Sequence, residues 1–288
     1  MERRKEEKLA DRPASRVLPH RTDAYSSVLL SAPQHISPEE FRERLCESCS
    51  AWRSAGRKGV FLQIPTAQAN LIPSAVELGF KFHATMGVGD RLILSLWLRD
   101  GLTKNNLPSG PSHFLGVAGL VVRGDGRILV VKEKNGPAAR SGIWKLPGGQ
   151  ADSCESIQKA VLREVFEETG VECHFEALTS ILHLRPRNGG NIVRAGASDL
   201  FCTCVLRTKS LEPKLTLQKN EIASAKWVTA EELLASGFYK FKGTAFRRSI
   251  EAAIAARNRV SQCQRGLYSE VLPLGFAKGK ISILRSSL

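Results

Sequence analysis

Residues 149 to 171 read G-QADSC-E-SIQKAVL-R-E-V-F-E-E-T-G-V, and the spacing within this stretch decides how the rest of the chain is read. Asp152 or Ser153 is placed to cap a helix. Ile157, Ala160, Val161 and Val165, with Phe166 if it is turned inward, then recur at helical spacing. At about 100° per residue, Glu164, Glu167 and Glu168 share one narrow arc of that helix. Three carboxylates so placed repel one another unless a cation sits among them. Hard oxygen donors at that density suit Mg²⁺ or Mn²⁺, which also take phosphate oxygens. Arg163 is spaced to reach Glu167 one turn on and Glu155 about two turns back, and so to orient the carboxylates. Gly148 and Gly149 let the backbone come close, and the Gly149 carbonyl is a candidate metal ligand. A solvated acidic face is the ordinary reading of E-x-x-E-E; the flanking glycine and arginine argue against it here.

The 288 residues suit two domains, with 42% hydrophobic and 24% charged residues as in an ordinary soluble protein. No apolar run reaches the ~18 residues of a membrane span. The N-terminus, MERRKEEKLADRPASR, lacks the apolar core of a secretory signal and is too acidic for a good mitochondrial presequence. Seven cysteines without a signal imply free thiols in a reducing compartment, so cytoplasmic placement is expected, with mitochondrion and nucleus left open. Cys46-x-x-Cys49 stands without a second pair, and Cys202 and Cys204 alternate on one strand face; packing is the expected role of both. The net charge is +14, and residues 236–288 hold ten Lys or Arg against Glu251 and Glu270. Such a basic end either solubilises the surface or meets a polyanion such as RNA or an acidic partner.

Residues 1–24 read as a disordered arm and 25–101 as a first α/β domain. Ser37-Pro38 opens a helix that Gly56 ends, with Phe41, Leu45, Cys49 and Trp52 on its apolar side. Strands are expected at 60–64, 80–85 and 92–98, with a short helix at 71–78. Residues 102–112, rich in Gly, Pro and Asn, read as a linker. A second domain over 113–262 has strands at 116–123, 128–131, 174–184, 199–207 and 223–228, and helices from Thr229 and Thr244. Residues 133–142 read as a loop and 263–288 as a basic tail. Strands mixed with helices on both faces give an α/β/α sandwich with a mixed sheet.

The stretch 149–171 matches the Nudix box at every position that pattern specifies, against a chance on the order of 10⁻⁹ per start site. G-V-A-G-L-V (116–121), I-L-V-V-K (128–132), S-G-I-W-K-L-P-G-G (141–149) and K-W-V (226–228) resemble segments of the same family. Upstream, W-R-S-A-G-R (52–57), L-G-F-K-F-H (78–83) and L-S-L-W-L-R (94–99) resemble a narrower group. It holds an animal Nudix protein encoded antisense to a fibroblast growth factor gene, and plant Nudix hydrolases of ADP-ribose and NADH. The first domain is similar to the small acetyltransferase-like domain found ahead of some Nudix domains. It lacks a glycine-rich acetyl-CoA loop, so docking, homodimer formation or shaping of the substrate site is expected of it rather than catalysis.

The resemblance implies hydrolysis of a phosphoanhydride with Mg²⁺ or Mn²⁺, Glu164, Glu167 and Glu168 sharing metal binding and activation of water. Glu221 in K-N-E-I is a candidate fourth carboxylate, and it or Glu164 is the base. Pro186, 15 residues past Val171, lies where ADP-ribose pyrophosphatases of the superfamily tend to place a proline. Trp144 and Arg140 before the box, and Arg185, Arg187 and Arg194 after it, are candidate substrate contacts, with Lys134 as a further phosphate ligand. The expected substrate is a nucleotide sugar or dinucleotide, ADP-ribose and NADH first. An RNA 5′-cap hydrolase and a non-enzymatic interaction protein on a Nudix fold are the alternatives.

Overall fold

The computed structural model describes residues 16–86, 89–99, 103–185, 197–256, 265–273 and 280–287. The chain forms two compact units, Met1–Pro111 and Ser112–Leu288.

In the first unit the elements are β1 (Arg21–Thr22), β2 (Val28–Ser31), α1 (Pro38–Ser54), β3 (Gly59–Pro65), α2 (Ile72–Glu77), β4 (Lys81–Met86) and β5 (Arg91–Trp97). They make one sheet in the order β1-β2-β3-β5-β4, with β2 and β3 parallel. Ser37 caps α1 by accepting the Glu40 N–H at 3.1 Å, and Phe41, Leu45, Cys49 and Trp52 are buried, as the spacing required. They meet Val60, Leu62 and Ile64, the alternate residues of β3.

Two expectations are corrected. The disordered arm of 1–24 does not extend over 16–24. Leu18 is 1% exposed in the core, its N–H bonds the Ser48 hydroxyl at 2.8 Å, and β1 pairs with β2. The charge-rich arm hid one apolar anchor. Nor are residues 103–111 a bare linker, since Leu107 packs where a Cβ on Gly59 would stand.

The second unit contains β6 (His113–Val122), β7 (Ile128–Glu133), α3 (Gly136–Arg140), α4 (Ile157–Thr169), β8 (Cys173–Leu184) and β9 (Ser198–Thr208). These are followed by β10 (Ile222–Val228), α5 (Ala230–Leu234), α6 (Ala245–Ala256), β11 (Arg265–Pro273) and β12 (Lys280–Ser287). The sheet order is β10-β7-β6-β9-β8-β12-β11, with β6 and β9 parallel and the other neighbours antiparallel. Alternation along β6 builds both faces. Val117 and Val121 lie under Val161 and Val165 of α4, while Ala118, Leu120 and Val122 lie under Ile250 and Ala253 of α6. The result is the expected α/β/α sandwich on a mixed sheet. On the α4 face, a Cβ on Gly119 would stand 2.9 Å from a Val165 methyl, so glycine lets the helix seat this close.

Four details differ from expectation. The cap of α4 is Ser156, which accepts the Lys159 N–H at 3.3 Å, and not Asp152 or Ser153. Residues 152–155 form a turn, with the Glu155 N–H on the Asp152 carbonyl at 3.1 Å and the Glu155 carboxylate on the Asp152 N–H at 2.9 Å. Phe166 is 52% exposed, because the core-facing stripe runs through Val161, Val165 and Glu168 and leaves it on the flank. Residues 265–273 and 280–287 are not a tail but a strand pair, β12 bonding the edge of β8 from Ser282↔His183 to Arg285↔Ser180. Part of the basic surplus is also structural. Arg247 on α6 bonds Glu251 at 2.7 Å and the carbonyls of Leu234 and Tyr239 at 2.6 and 3.1 Å. A short helix, α3, stands where a loop was expected.

Candidate active site

The site is set by a loop laid across two diverging strands. β6 and β7 pair only at Val122–Ile128. Residues 145–151 bond to both of them beyond that point. Lys145 exchanges two backbone bonds with Val131 of β7 at 2.8 and 3.0 Å. On the β6 side, the Gly119 N–H reaches the Pro147 carbonyl at 2.9 Å, and the Val117 N–H reaches the Gly149 carbonyl at 2.8 Å. Gly148 adopts φ +151, and a Cβ there would run into the Val117 carbonyl and stand 2.7 Å from the Ala118 Cα. The loop therefore presents bare backbone to α4.

Arg163 gathers the acidic groups of α4. Its Nε and Nη2 donate to Glu155 at 3.0 and 2.8 Å, its Nη1 to Glu164 and Glu167 at 3.0 Å each, and its Nη2 to the Gln150 carbonyl at 3.1 Å. These bonds hold the Glu155 carboxyl down at about 2, the Arg163 fork leading and the Asp152 N–H assisting, and they raise Arg163 above its ordinary value. Glu164 moves the other way, because burial favours its neutral form more than Arg163 opposes it. Glu168 is 5% exposed and accepts the Gly148 N–H at 3.0 Å. Burial pushes its carboxyl up to about 7, against the opposing pull of Lys145 and of the Gly148 N–H.

The donor chemistry fits a hard divalent cation. The Glu164 carboxylate fills the space at position 149: a Cβ there would stand 2.5 and 2.8 Å from its oxygens. Only glycine leaves that carboxylate and the loop backbone facing each other. Every donor at this point is oxygen, as Mg²⁺ and Mn²⁺ prefer. Among the described residues, no three His, Cys, Asp or Glu side chains are already gathered into a metal-holding group. Glu164 and Glu167 are turned to Arg163, and Glu168 to the Gly148 N–H.

Glu221 sits in the turn just before β10, where its carbonyl accepts the Lys134 N–H at 2.8 Å. Its charge raises the Glu164 carboxyl, so the two are electrostatic neighbours. Lys134 is occupied, its ammonium donating to the Lys219 carbonyl. Trp144 is half-buried, with the Lys226 ammonium 4.6 Å from its ring centre. Arg140 ends α3 and Arg185 follows β8; both are exposed, and among the described residues no hydrogen bond or ion pair ties either to the carboxylates. Pro186, Arg187 and Arg194 lie outside the described residues.

Lys145 and Glu133 were not singled out in the sequence. Their side chains pair at 2.6 Å, and the Lys145 ammonium also lies 3.4 Å from the Gly148 carbonyl, its charge favouring ionised Glu168. A lysine directly before L-P-G-G was the available signal for this contact.

This geometry can be set beside known proteins. A NUDIX domain model matches residues 112–249, and a Nudix hydrolase domain model matches residues 18–98. Nudix hydrolase 7 of Arabidopsis thaliana is 34% identical over 212 residues, covering 73% of this chain and 71% of that protein. Nudix hydrolase 2 of the same plant is 35% identical over 225 residues, 78% of this chain and 77% of that protein. Nucleoside diphosphate-linked moiety X motif 6 of Homo sapiens is 35% identical over 205 residues, 71% of this chain and 61% of that protein. The matches run through both units, and with relatives 34–35% identical over more than two thirds of this chain and of their own length, the chain belongs to the Nudix hydrolase family.

Proposed function

We propose that this chain hydrolyses the pyrophosphate bond of a nucleoside diphosphate linked to a second moiety, with ADP-ribose and NADH as the preferred substrates. The observation that carries the reading is the Gly149–Glu164 cradle beside Arg163. A partly buried carboxylate faces bare backbone there, with two more carboxylates on the same helix. Glu164, Glu167, Glu168 and the Gly149 carbonyl are the groups proposed to hold Mg²⁺ or Mn²⁺, which when bound neutralises pyrophosphate oxygens. Arg163 keeps the glutamates aligned on one side of α4. Glu164 or Glu221 takes the proton of the attacking water, a role worth about 10²–10⁴ in rate. Trp144, Arg140 and Arg185, with Pro186, Arg187 and Arg194, are proposed contacts for the rest of the substrate. The products are AMP with ribose 5-phosphate, or AMP with reduced nicotinamide mononucleotide.

The preference for ADP-ribose and NADH is supported by the similarity of the first unit to the upstream part of the plant Nudix hydrolases and by the position of Pro186. The test compares kcat/KM for ADP-ribose, NADH and capped RNA at equal Mg²⁺ and salt, with EDTA as control. ADP-ribose or NADH is expected to lead, and EDTA to abolish turnover. A tenfold advantage for capped RNA, about 1.4 kcal/mol of transition-state preference, would replace the substrate. Full turnover in EDTA would remove the metal.

A further inference from the structure

The sheet of the first unit has a second face, opposite α1 and α2, on which Phe61 of β3 and Trp97 of β5 stand out of register with the buried Val60 and Leu62. The segment after β5 returns across this face. The Trp97 indole N–H donates to the Thr103 hydroxyl at 3.3 Å, and Leu107 lies over Gly59. A cavity of about 870 Å³ is left beside it, lined entirely by residues of this unit.

Its walls carry two kinds of group. One is aromatic: Phe61, Trp97 and Tyr25. Tyr25 is 78% exposed at the tip of a turn that the Asp23 carboxylate closes, accepting the N–H groups of Tyr25 and Ser27 at 2.8 and 2.7 Å. The other is cationic: Lys58, Arg99 and Lys104 are exposed on the lining, and none has an ion pair among the described residues. Asp23, the one carboxylate on the lining among the described residues, is already engaged by those two backbone donors.

Rings and unpaired cations in one cavity select a ligand with both a flat π-face and negative charge. An acyl chain would use the apolar walls and leave three cations idle. Inorganic phosphate would use the cations and leave the rings idle. A heteroaromatic base stacks on aromatic side chains, guanidinium and ammonium groups take its phosphate, and the volume lies within the usual range of small-molecule pockets. We propose that this cavity binds a mononucleotide, a base carrying one or more phosphates, at a metal-independent site built wholly from the first unit. The proposal is independent of which substrate the second unit hydrolyses.

The test uses the full chain in EDTA and calorimetric titration with AMP, adenosine and inorganic phosphate. AMP is expected to bind one per chain, with adenosine and phosphate each at least tenfold weaker. Lys58→Gln combined with Arg99→Gln is expected to weaken AMP tenfold or more. Tyr25→Ser is expected to weaken AMP severalfold while leaving phosphate unchanged. All three side chains are exposed, so the fold should survive, as an unchanged Tm would verify. No saturable AMP binding, AMP affinity unmoved by the Lys58/Arg99 pair, or adenosine binding as tightly as AMP would each overturn the proposal. So would a single-stranded oligoribonucleotide that binds tenfold more tightly than AMP through the same cations.

Discussion

Replacing Glu168 by Gln should stabilise the metal-free protein, and by an amount that depends on pH. Glu168 is buried, and its carboxyl is raised from the ordinary 4.5 to about 7. An acid whose folded value is raised costs stability as pH climbs. Below 4.5 it is protonated in both states and costs nothing. Between 4.5 and 7 the unfolded chain releases its proton while the folded one keeps it. Above 7 the cost is complete, and the gap between the two values corresponds to about 3 kcal/mol. Glutamine carries no charge, keeps an oxygen for the Gly148 N–H, and leaves Lys145 paired with Glu133 at 2.6 Å. The variant should therefore gain about 1 kcal/mol at pH 5 and about 3 kcal/mol at pH 8. For a unit of this size the latter raises Tm by roughly 6–12 °C. The assay is thermal unfolding of both proteins in EDTA at the two pH values, following the transition of the second unit. Titrations elsewhere are common to both proteins and cancel. Equal midpoints at pH 8, or the same offset at both pH values, would refute the account of Glu168 as a carboxyl held in strained burial.

Three further outcomes are expected. Gly149→Ala drives a Cβ to within 2.8 Å of both Glu164 oxygens, so turnover should fall at least tenfold at fixed Mg²⁺ while Tm moves little; unchanged kinetics would show that the cradle is not used. Arg163→Lys keeps the charge but loses the fork that joins Glu155, Glu164 and Glu167, and should lower kcat by about 10² or more, against which near-normal kcat would count directly. Ser156→Ala should cost about 1 kcal/mol in urea unfolding and Ser153→Ala almost nothing, since only Ser156 caps α4; the reverse order would move the start of the helix.

What could be read from the sequence follows from which interactions are local. The Arg163 contacts to Glu155 and Glu167 lie within one helix and the turn before it, so spacing alone was enough to place them. The sandwich followed from alternation, as Val117, Val121 and Ala118, Leu120 fall on opposite faces of β6. The cap of α4 was misplaced because three polar residues compete there, and the choice is made by Glu155 folding back onto the Asp152 N–H. Lys145 was missed because its partners, Glu133 and Glu168, come from another strand and another helix. The last two strands were overlooked for a different reason. Basic charge over 236–288 masks the alternation of Ile281, Ser282 and Ile283, which is a strand pattern whatever its net charge.

That closing strand pair has a practical side. β12 covers the edge of β8, whose other neighbour is β9, so β8 is an interior strand only while residues 280–287 are in place. Shortening the chain before β12 would leave a row of open N–H and C=O groups along Ser180 to His183, a template on which a second molecule can lay its own strand. Trimmed versions made for crystallisation, or tags that tug on the final strand, would then be prone to self-association before any loss of chemistry is seen, and a turbid sample would report a missing strand partner and not a damaged catalyst.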